Sequence, residues 1–326
     1  METRRISRLD RAVSAVGLGC WQLGADWGNV DETEALAVLH SAADAGVTFF
    51  DTADVYGDGR SERLVGRFRA ERGDTVFVAT KMGRRLDQVP ENYVAANFDA
   101  WIDRSRKNLG MDTLDLVQLH CPPTPVYSTD TVYDALDALV ERGRIRAYGV
   151  SVETCDEALT AMARPNVASV QIILNCLRLK PLERVLPTAL EAGAGIIVRV
   201  PLASGLLSGR YTKDTAFAAD DHRNFNRGGE AFDVGETFSG VPFEVGLQAV
   251  ERLRSLVPAG QTLAQFALRW ILDQQGVSVV IPGARNPEQA RANTVAAGLP
   301  PVSAEAEAGV REVYDELIRP LVHDRW

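Results

Sequence analysis

Eight short apolar runs rich in β-branched residues, set between longer stretches of helical periodicity, constrain this chain more than any other feature. The runs are SAVGLG (14–19), VTFF (47–50), TVFVAT (75–80), LDLVQL (114–119), IRAYGV (145–150), SVQIIL (169–174), GIIVRV (195–200) and VSVVIP (277–282). Helical patterns cover 32–45, 60–71, 91–109, 130–142, 154–163, 183–192 and 261–275, with 287–297 after the last run. Glycines follow several of them, such as Gly46 and Gly143, where a left-handed cap ends a helix. The runs are continuously apolar, not alternating, which is the habit of parallel strands buried on both faces. Eight strand–helix units predict a (β/α)8 TIM barrel, one domain over residues 1–326. A length of 326 residues by itself suggests two domains of ordinary size, but a barrel absorbs that length as one unit. A doubly wound sheet needs G-x-G-x-x-G after its first strand. Here Gly17 and Gly19 are followed by Gln22, and the next glycine is Gly24.

Two segments break the repeat. Residues 1–13 precede the first run and are expected to form a hairpin closing the barrel bottom. Residues 203–242 form a long polar connection after the seventh strand, a length that marks either function or disorder. Further helices are expected at 243–257 and 303–318.

Several function classes drop out. The net charge of −9, with no basic run of five or more, excludes a nucleic-acid footprint. No apolar stretch reaches about 18 clean residues, so no membrane span is expected, and the polar METRRISRLD start lacks the apolar core of a signal peptide. Cys20, Cys121, Cys155 and Cys176 show no CxxC spacing, which fits a reduced, cytoplasmic setting. The four histidines show neither HxH nor HExxH spacing, so no metal is expected. Oligomeric state is left open.

In a barrel, strand ends at the C-terminal face build the active site. Asp51 closes the second run, Lys81 the third and His120 the fourth, and Tyr56 follows Asp51 on the next loop. A phenol with an ordinary pKa of about 10 is a weak acid at neutral pH, and a neighbouring ammonium stabilises its phenolate. Lys81 supplies that ammonium, Asp51 holds it, and His120 orients a carbonyl oxygen against the Tyr56 hydroxyl. Together they would protonate a carbonyl oxygen while its carbon accepts a hydride. No side chain donates hydride, so a nicotinamide cofactor is implied. Trp21 and Trp27 follow the first run and are expected to wall the substrate pocket. Two rivals are a metal-dependent hydrolase using Asp51, Asp54 and His120, and a cofactor-binding regulatory subunit with slow turnover.

FFDTADVYG, ATK and LHCPP resemble the aldo-keto reductases, specifically the bacterial branch related to general-stress and inositol-operon reductases. The resemblance runs from about residue 5 to about residue 300. It implies the barrel, NADPH-dependent interconversion of small carbonyls and alcohols, and a catalytic tetrad of Asp51, Tyr56, Lys81 and His120 with Tyr56 as proton donor. Tyr56 and His120 would then also contact substrate. It further implies cofactor contacts from Ser151, where Val152 replaces the family's usual Asn, and from Gln171. VRVPLASGLLSGR (198–210) resembles the pyrophosphate loop, implicating Pro201, Leu202, Ser204, Leu206 and Arg210. IPGARNPEQARAN (281–293) resembles the adenosine-phosphate site, with Gly283, Arg285, Gln289 and Asn293. A guanidinium forks well onto a phosphate, so Arg285 favours NADP over NAD. Arg199 stands where the family usually stacks an aromatic ring on the nicotinamide. It is expected to bias binding toward the reduced cofactor, to turn aside toward substrate, or to point elsewhere in an ion pair. The piece 221–227 is expected to act as a clasp over the cofactor, through Arg223 or Arg227, or to be a plain loop.

Overall fold

The computed structural model describes residues 1–24 and 30–326. Strands β1 (Thr3–Ile6) and β2 (Arg11–Ser14) form an antiparallel hairpin. Strands β3 (Leu18–Gly19), β4 (Phe49–Asp51), β5 (Phe77–Met82), β6 (Leu114–His120), β7 (Ile145–Ser151), β8 (Val167–Ile173), β9 (Gly195–Arg199) and β10 (Val277–Val280) are all parallel, in sequence order. Parallel bridges Val16–Val280 and Gly19–Gly283 join the first and last of them, so the sheet curls into a barrel. Between the strands run α1 (Glu32–Asp44), α2 (Arg60–Arg72), α3 (Ala95–Leu109), α4 (Asp130–Glu141), α5 (Cys155–Met162) and α6 (Val185–Ala192). The β9–β10 connection carries α7 (His222–Phe225), α8 (Phe243–Arg254) and α9 (Leu263–Asp273), and α10 (Pro287–Thr294) follows β10. α11 (Ala304–Val313) passes into a π-helical turn, Tyr314–Ile318, in place of the single helix expected over 303–318.

The hairpin seats at the N-terminal end of the barrel. Ile6 and Val13 join Phe49, Phe77, Ala79, Leu116, Ile197, Val279 and Ile281 in one buried cluster inside it, where each fully buried large side chain contributes about 1.5–3 kcal/mol. Gly195 is required there, because a Cβ on it would stand 2.7 Å from Ile6 Cγ2. The expected first strand, 14–19, is split by the structure. Ser14 Oγ donates to the Val16 carbonyl (2.7 Å), and only Leu18–Gly19 pair with β4. The helix expected from residue 91 begins at Ala95, because Tyr93 and Val94 leave helical backbone angles (ψ 68° and 156°). The long 203–242 connection is ordered through short turns, Ala203–Ser208, Val234–Glu236 and Phe238–Gly240, besides α7. Among the described residues, no helix is long and apolar enough to cross a membrane.

Candidate active site

Because β4, β5 and β6 run parallel, their last residues meet at one mouth. Lys81 Nζ stands 2.5 Å from Asp51 Oδ1 and donates to the Thr52 carbonyl (2.9 Å) and to the Tyr56 hydroxyl oxygen (3.2 Å). Asp51 is 3% and Lys81 1% exposed. A charge pair so deep survives only if its remaining valences are filled. Gln171 Nε2 and Gln118 Nε2 donate to Asp51 Oδ2 at 2.8 and 3.3 Å. Gln118 is a site residue that motif reasoning passed over. Its signal was present, since Gln118 and His120 stand two apart and share the inward face of β6.

Electrostatics amend the expected role of Lys81. Burial opposes its ammonium, yet Asp51 and Tyr56 outweigh that and hold it above the ordinary value. For Tyr56, burial pushes the phenol up more than Lys81 pulls it down, so it lies above its ordinary value of 10.0, not closer to neutral. The phenol is therefore firmly protonated, and the Lys81 ammonium favours its phenolate form without outweighing burial. Burial, followed by Arg84, Lys81 and Arg199, drives His120 well below its usual value, so its imidazole is neutral. Its Nδ1 is buried with no hydrogen-bond partner, and its ring meets the Tyr56 ring edge-on at 5.9 Å. Trp21 stacks on Tyr56 at 5.9 Å and also meets His222 (5.3 Å) and Phe232 (5.9 Å). His222 and Phe232 come from the long connection; His222 lies in the 221–227 piece expected as a clasp but had no role assigned, and nothing marked Phe232. Trp27 lies outside the described residues.

Above these groups opens a cavity of ≈590 Å³, within the range of small-molecule and cofactor sites. Tyr56, His120, Trp21, Ser151, Gln171 and Arg199 line it, as do Pro201, Leu202, Ser204, Arg210, Gly283, Arg285, Gln289 and Asn293. Leu206 does not line it and is packed in the core at 1% exposure. Arg223 does line it, bound to Asp221 and Tyr211. The Gln22 side chain packs directly over Gly283, where a Cβ would meet it. At the turn after β9, Val200, Ala203 and Ser204 all take left-handed angles (φ 51°, 47° and 53°), strain that persists only where surroundings enforce it. A cleft lined both by orphaned polar nitrogens (His120 Nδ1, Arg199 Nε) and by the Arg210 and Arg285 guanidiniums fits a nicotinamide dinucleotide.

Arg199 turns into an ion pair. Its Nη2 bonds Glu153 Oε2 (2.7 Å) and the Val152 carbonyl (3.1 Å), and its Nη1 reaches Glu236 Oε1 (3.4 Å). Arg84 joins the same two carboxylates at 3.4 and 3.5 Å and donates through Nε to the His120 carbonyl (3.1 Å). Burial pushes Glu153 up to about 7, whereas for Glu236 burial is outweighed by Arg199 and Arg84, which hold it down. Glu153 and Glu236 converge with Cys121, but two guanidiniums already fill that cluster. Sequence reasoning missed this network, because its members come from four separate strand-end or loop segments.

The hydrolase rival loses its geometry: among the described residues, Asp51, Asp54 and His120 do not gather at metal-ligand spacing. Asp54 is fully buried with both carboxylate oxygens unpartnered, and burial, then Glu62, pushes it up to about 7. A raised carboxyl contributes stability that is fully present below its ordinary value and lost as pH rises through about 7. Asp54→Asn is thus expected to match the parent near pH 4 and exceed it at pH 8, by up to about 4 kcal/mol. Thermal melts of both proteins across that range check this.

The aldo/keto reductase family profile matches residues 15–315. The chain is 32% identical over 299 residues to the aldo-keto reductase YhdN of Bacillus subtilis (strain 168), covering 90% of this chain and 87% of that one. It is 30% identical over 297 residues to the aldo-keto reductase yakc [NADP(+)] of Schizosaccharomyces pombe, covering 87% and 83%. The fold superposes with a TM-score of 0.79 on the glycerol dehydrogenase AKR11B4 of Gluconobacter oxydans, at 30% identity over 98% of this chain and 96% of that one.

Proposed function

The chain belongs to the aldo/keto reductase family of oxidoreductases, and on that premise we propose that it reduces small aldehydes or ketones to alcohols using NADPH, with Tyr56 as the proton donor. The observation that carries this is the Asp51–Lys81–Tyr56 relay beside a neutral His120 at the mouth of a cofactor-sized cleft. A bound NADPH supplies the hydride to the carbonyl carbon. His120 donates from its protonated ring nitrogen to the carbonyl oxygen and holds it against the Tyr56 hydroxyl. Tyr56 releases its proton to that oxygen as negative charge builds on it. Lys81 then faces the phenolate, and Asp51, pinned by Gln118 and Gln171, keeps the ammonium in place. Trp21 stacks on Tyr56, and Phe232 packs edge-on against Trp21. Purified protein should oxidise NADPH with a panel of aldehydes. Binding of NADPH without turnover on any of them would instead favour a slow redox-sensing subunit.

For the cofactor, Ser151 and Gln171 would face the nicotinamide, Pro201, Leu202, Ser204 and Arg210 the pyrophosphate, and Gly283, Arg285, Gln289 and Asn293 the adenosine phosphate. Gln289 is set by the turn it caps, since its Oε1 accepts from Arg285 N (2.9 Å), and Asn293 is tied to the Gly283 carbonyl (3.1 Å). Leu206 supports the loop from the core. Arg285→Ala is expected to weaken NADPH binding by about ten- to a hundredfold, the scale of one charge-assisted contact, with little effect on NADH. Titrating both cofactors checks it, and equal losses would remove the 2′-phosphate role.

Arg199 places a cation in the wall that a nicotinamide ring must share, and the ring is positive only when oxidised. Arg199→Tyr is expected to raise NADP⁺ affinity relative to NADPH by about tenfold. An unchanged ratio would show that its ion pairs cancel its charge.

A further inference from the structure

Trp326 is distant from the tetrad in sequence, yet it is 6% exposed and bound to the segment that delivers Glu236 to the cavity. Its indole N–H donates to both Asp233 oxygens (3.1 and 3.3 Å). Asp233 Oδ1 in turn accepts from Gly235 N (2.7 Å), which shapes the turn Val234–Glu236. The backbone runs so close to the ring on both sides of Glu236 that no side chain fits. A Cβ on Gly235 would lie 2.9 Å from Trp326 Cζ2, and one on Gly240 2.3 Å from Cη2. The Arg178 guanidinium lies over the ring at 3.9 Å, and Arg178 donates to the Glu153 carbonyl (2.6 Å). One ring therefore stands behind both carboxylates of the Arg199–Arg84 network.

We propose that Trp326 is a positioning residue of the active site: it clamps residues 233–240 so that Glu236 stays against Arg199 and Arg84, and so sets the charge that a bound nicotinamide meets. The segment has only two short 3₁₀ turns, Val234–Glu236 and Phe238–Gly240, and no strand ladder to fix it. Near Glu236 it is also held by Ser204 Oγ, which donates to the Glu236 carbonyl (2.9 Å) and accepts from Phe238 N (3.1 Å), by bonds from Asn226 to Thr237 and from Asn175 to Ser239, and by the buried Phe238 ring. With Glu236 withdrawn, two guanidiniums share the single carboxylate of Glu153, and the cavity wall gains positive charge. An oxidised, positively charged nicotinamide ring loses from that, while the reduced ring does not.

This inference rests on the nicotinamide assignment above, and binding separates the two. If the parent protein binds neither NADPH nor NADP⁺ in a fluorescence titration, the assignment itself fails. If it binds them, Glu236→Gln is expected to weaken NADP⁺ relative to NADPH by about tenfold, the scale of one charge across roughly 10 Å at an effective dielectric of about 20. Trp326→Ala is expected to move the ratio in the same direction, and the double variant no further than the larger single one, because both act through one group. Additive effects, or a parental ratio in Trp326→Ala beside a shifted one in Glu236→Gln, would overturn the proposal. Trp326→Phe keeps the ring over Arg178 and gives up only the bonds to Asp233, so it should shift the ratio part of the way. Should the alanine variant not fold, a parental ratio in the phenylalanine variant is decisive against the clamp.

Discussion

Tyr56→Phe is expected to lower kcat for aldehyde reduction by about 10²- to 10⁴-fold, the usual contribution of a positioned general acid, while NADPH still binds within a few-fold of the parent. The substitution removes one oxygen and leaves the ring that stacks on Trp21 and meets His120 edge-on. It costs Lys81 one acceptor, at 3.2 Å, and leaves the Asp51 and Thr52 contacts standing. The fold and the cleft should therefore persist, and the loss should fall on the chemical step. Stopped-flow NADPH oxidation with and without aldehyde separates the two. A variant that turns over as fast as the parent would mean that the proton comes from elsewhere, and the proposed mechanism would be withdrawn.

Lys81→Met should combine a comparable loss of turnover with a stability loss of about 3–5 kcal/mol, because it strands a buried carboxylate without its cation. Asp51 keeps the Gln171 and Gln118 bonds, at 2.8 and 3.3 Å, but amide dipoles do not replace a full charge. The pH dependence is signed. Lys81 is held above its ordinary value of 10.5, so its contribution is complete below that pH and is lost as pH rises through the folded value. The gap between parent and variant should therefore narrow under strongly alkaline conditions. The double variant Asp51→Leu with Lys81→Met removes both charges and should regain part of the stability while turnover stays lost. Denaturant melts beside rate measurements test this, and a double variant that recovers activity would refute the relay.

Much of this architecture was legible one residue type at a time. Largely apolar runs such as VTFF and LDLVQL, alternating with helical stretches, read as strands covered on both faces, and Asp51, Lys81 and His120 at their ends were expected to share one mouth. Gly46 and Gly143 marked helix ends and do adopt left-handed angles, at φ 92° and 68°. Strand limits were less legible, because Ser14 bonds locally to Val16 and breaks a run that composition alone would have kept whole.

Strand order, the polar residues at strand ends and the hairpin ahead of them follow from local periodicity, which each stretch of chain carries on its own. The acidity of Tyr56, the partners of Arg199, the approach of Glu236 and His222 to the mouth, and the packing of Trp326 behind Glu236 depend on how deeply groups are buried and on which distant segments come together. Burial reversed the expected direction for Tyr56, and Glu153, 46 residues from Arg199 in sequence, claimed its guanidinium. Desolvation and Coulomb forces act through space between segments that have no adjacency along the chain, so only the folded molecule decides them.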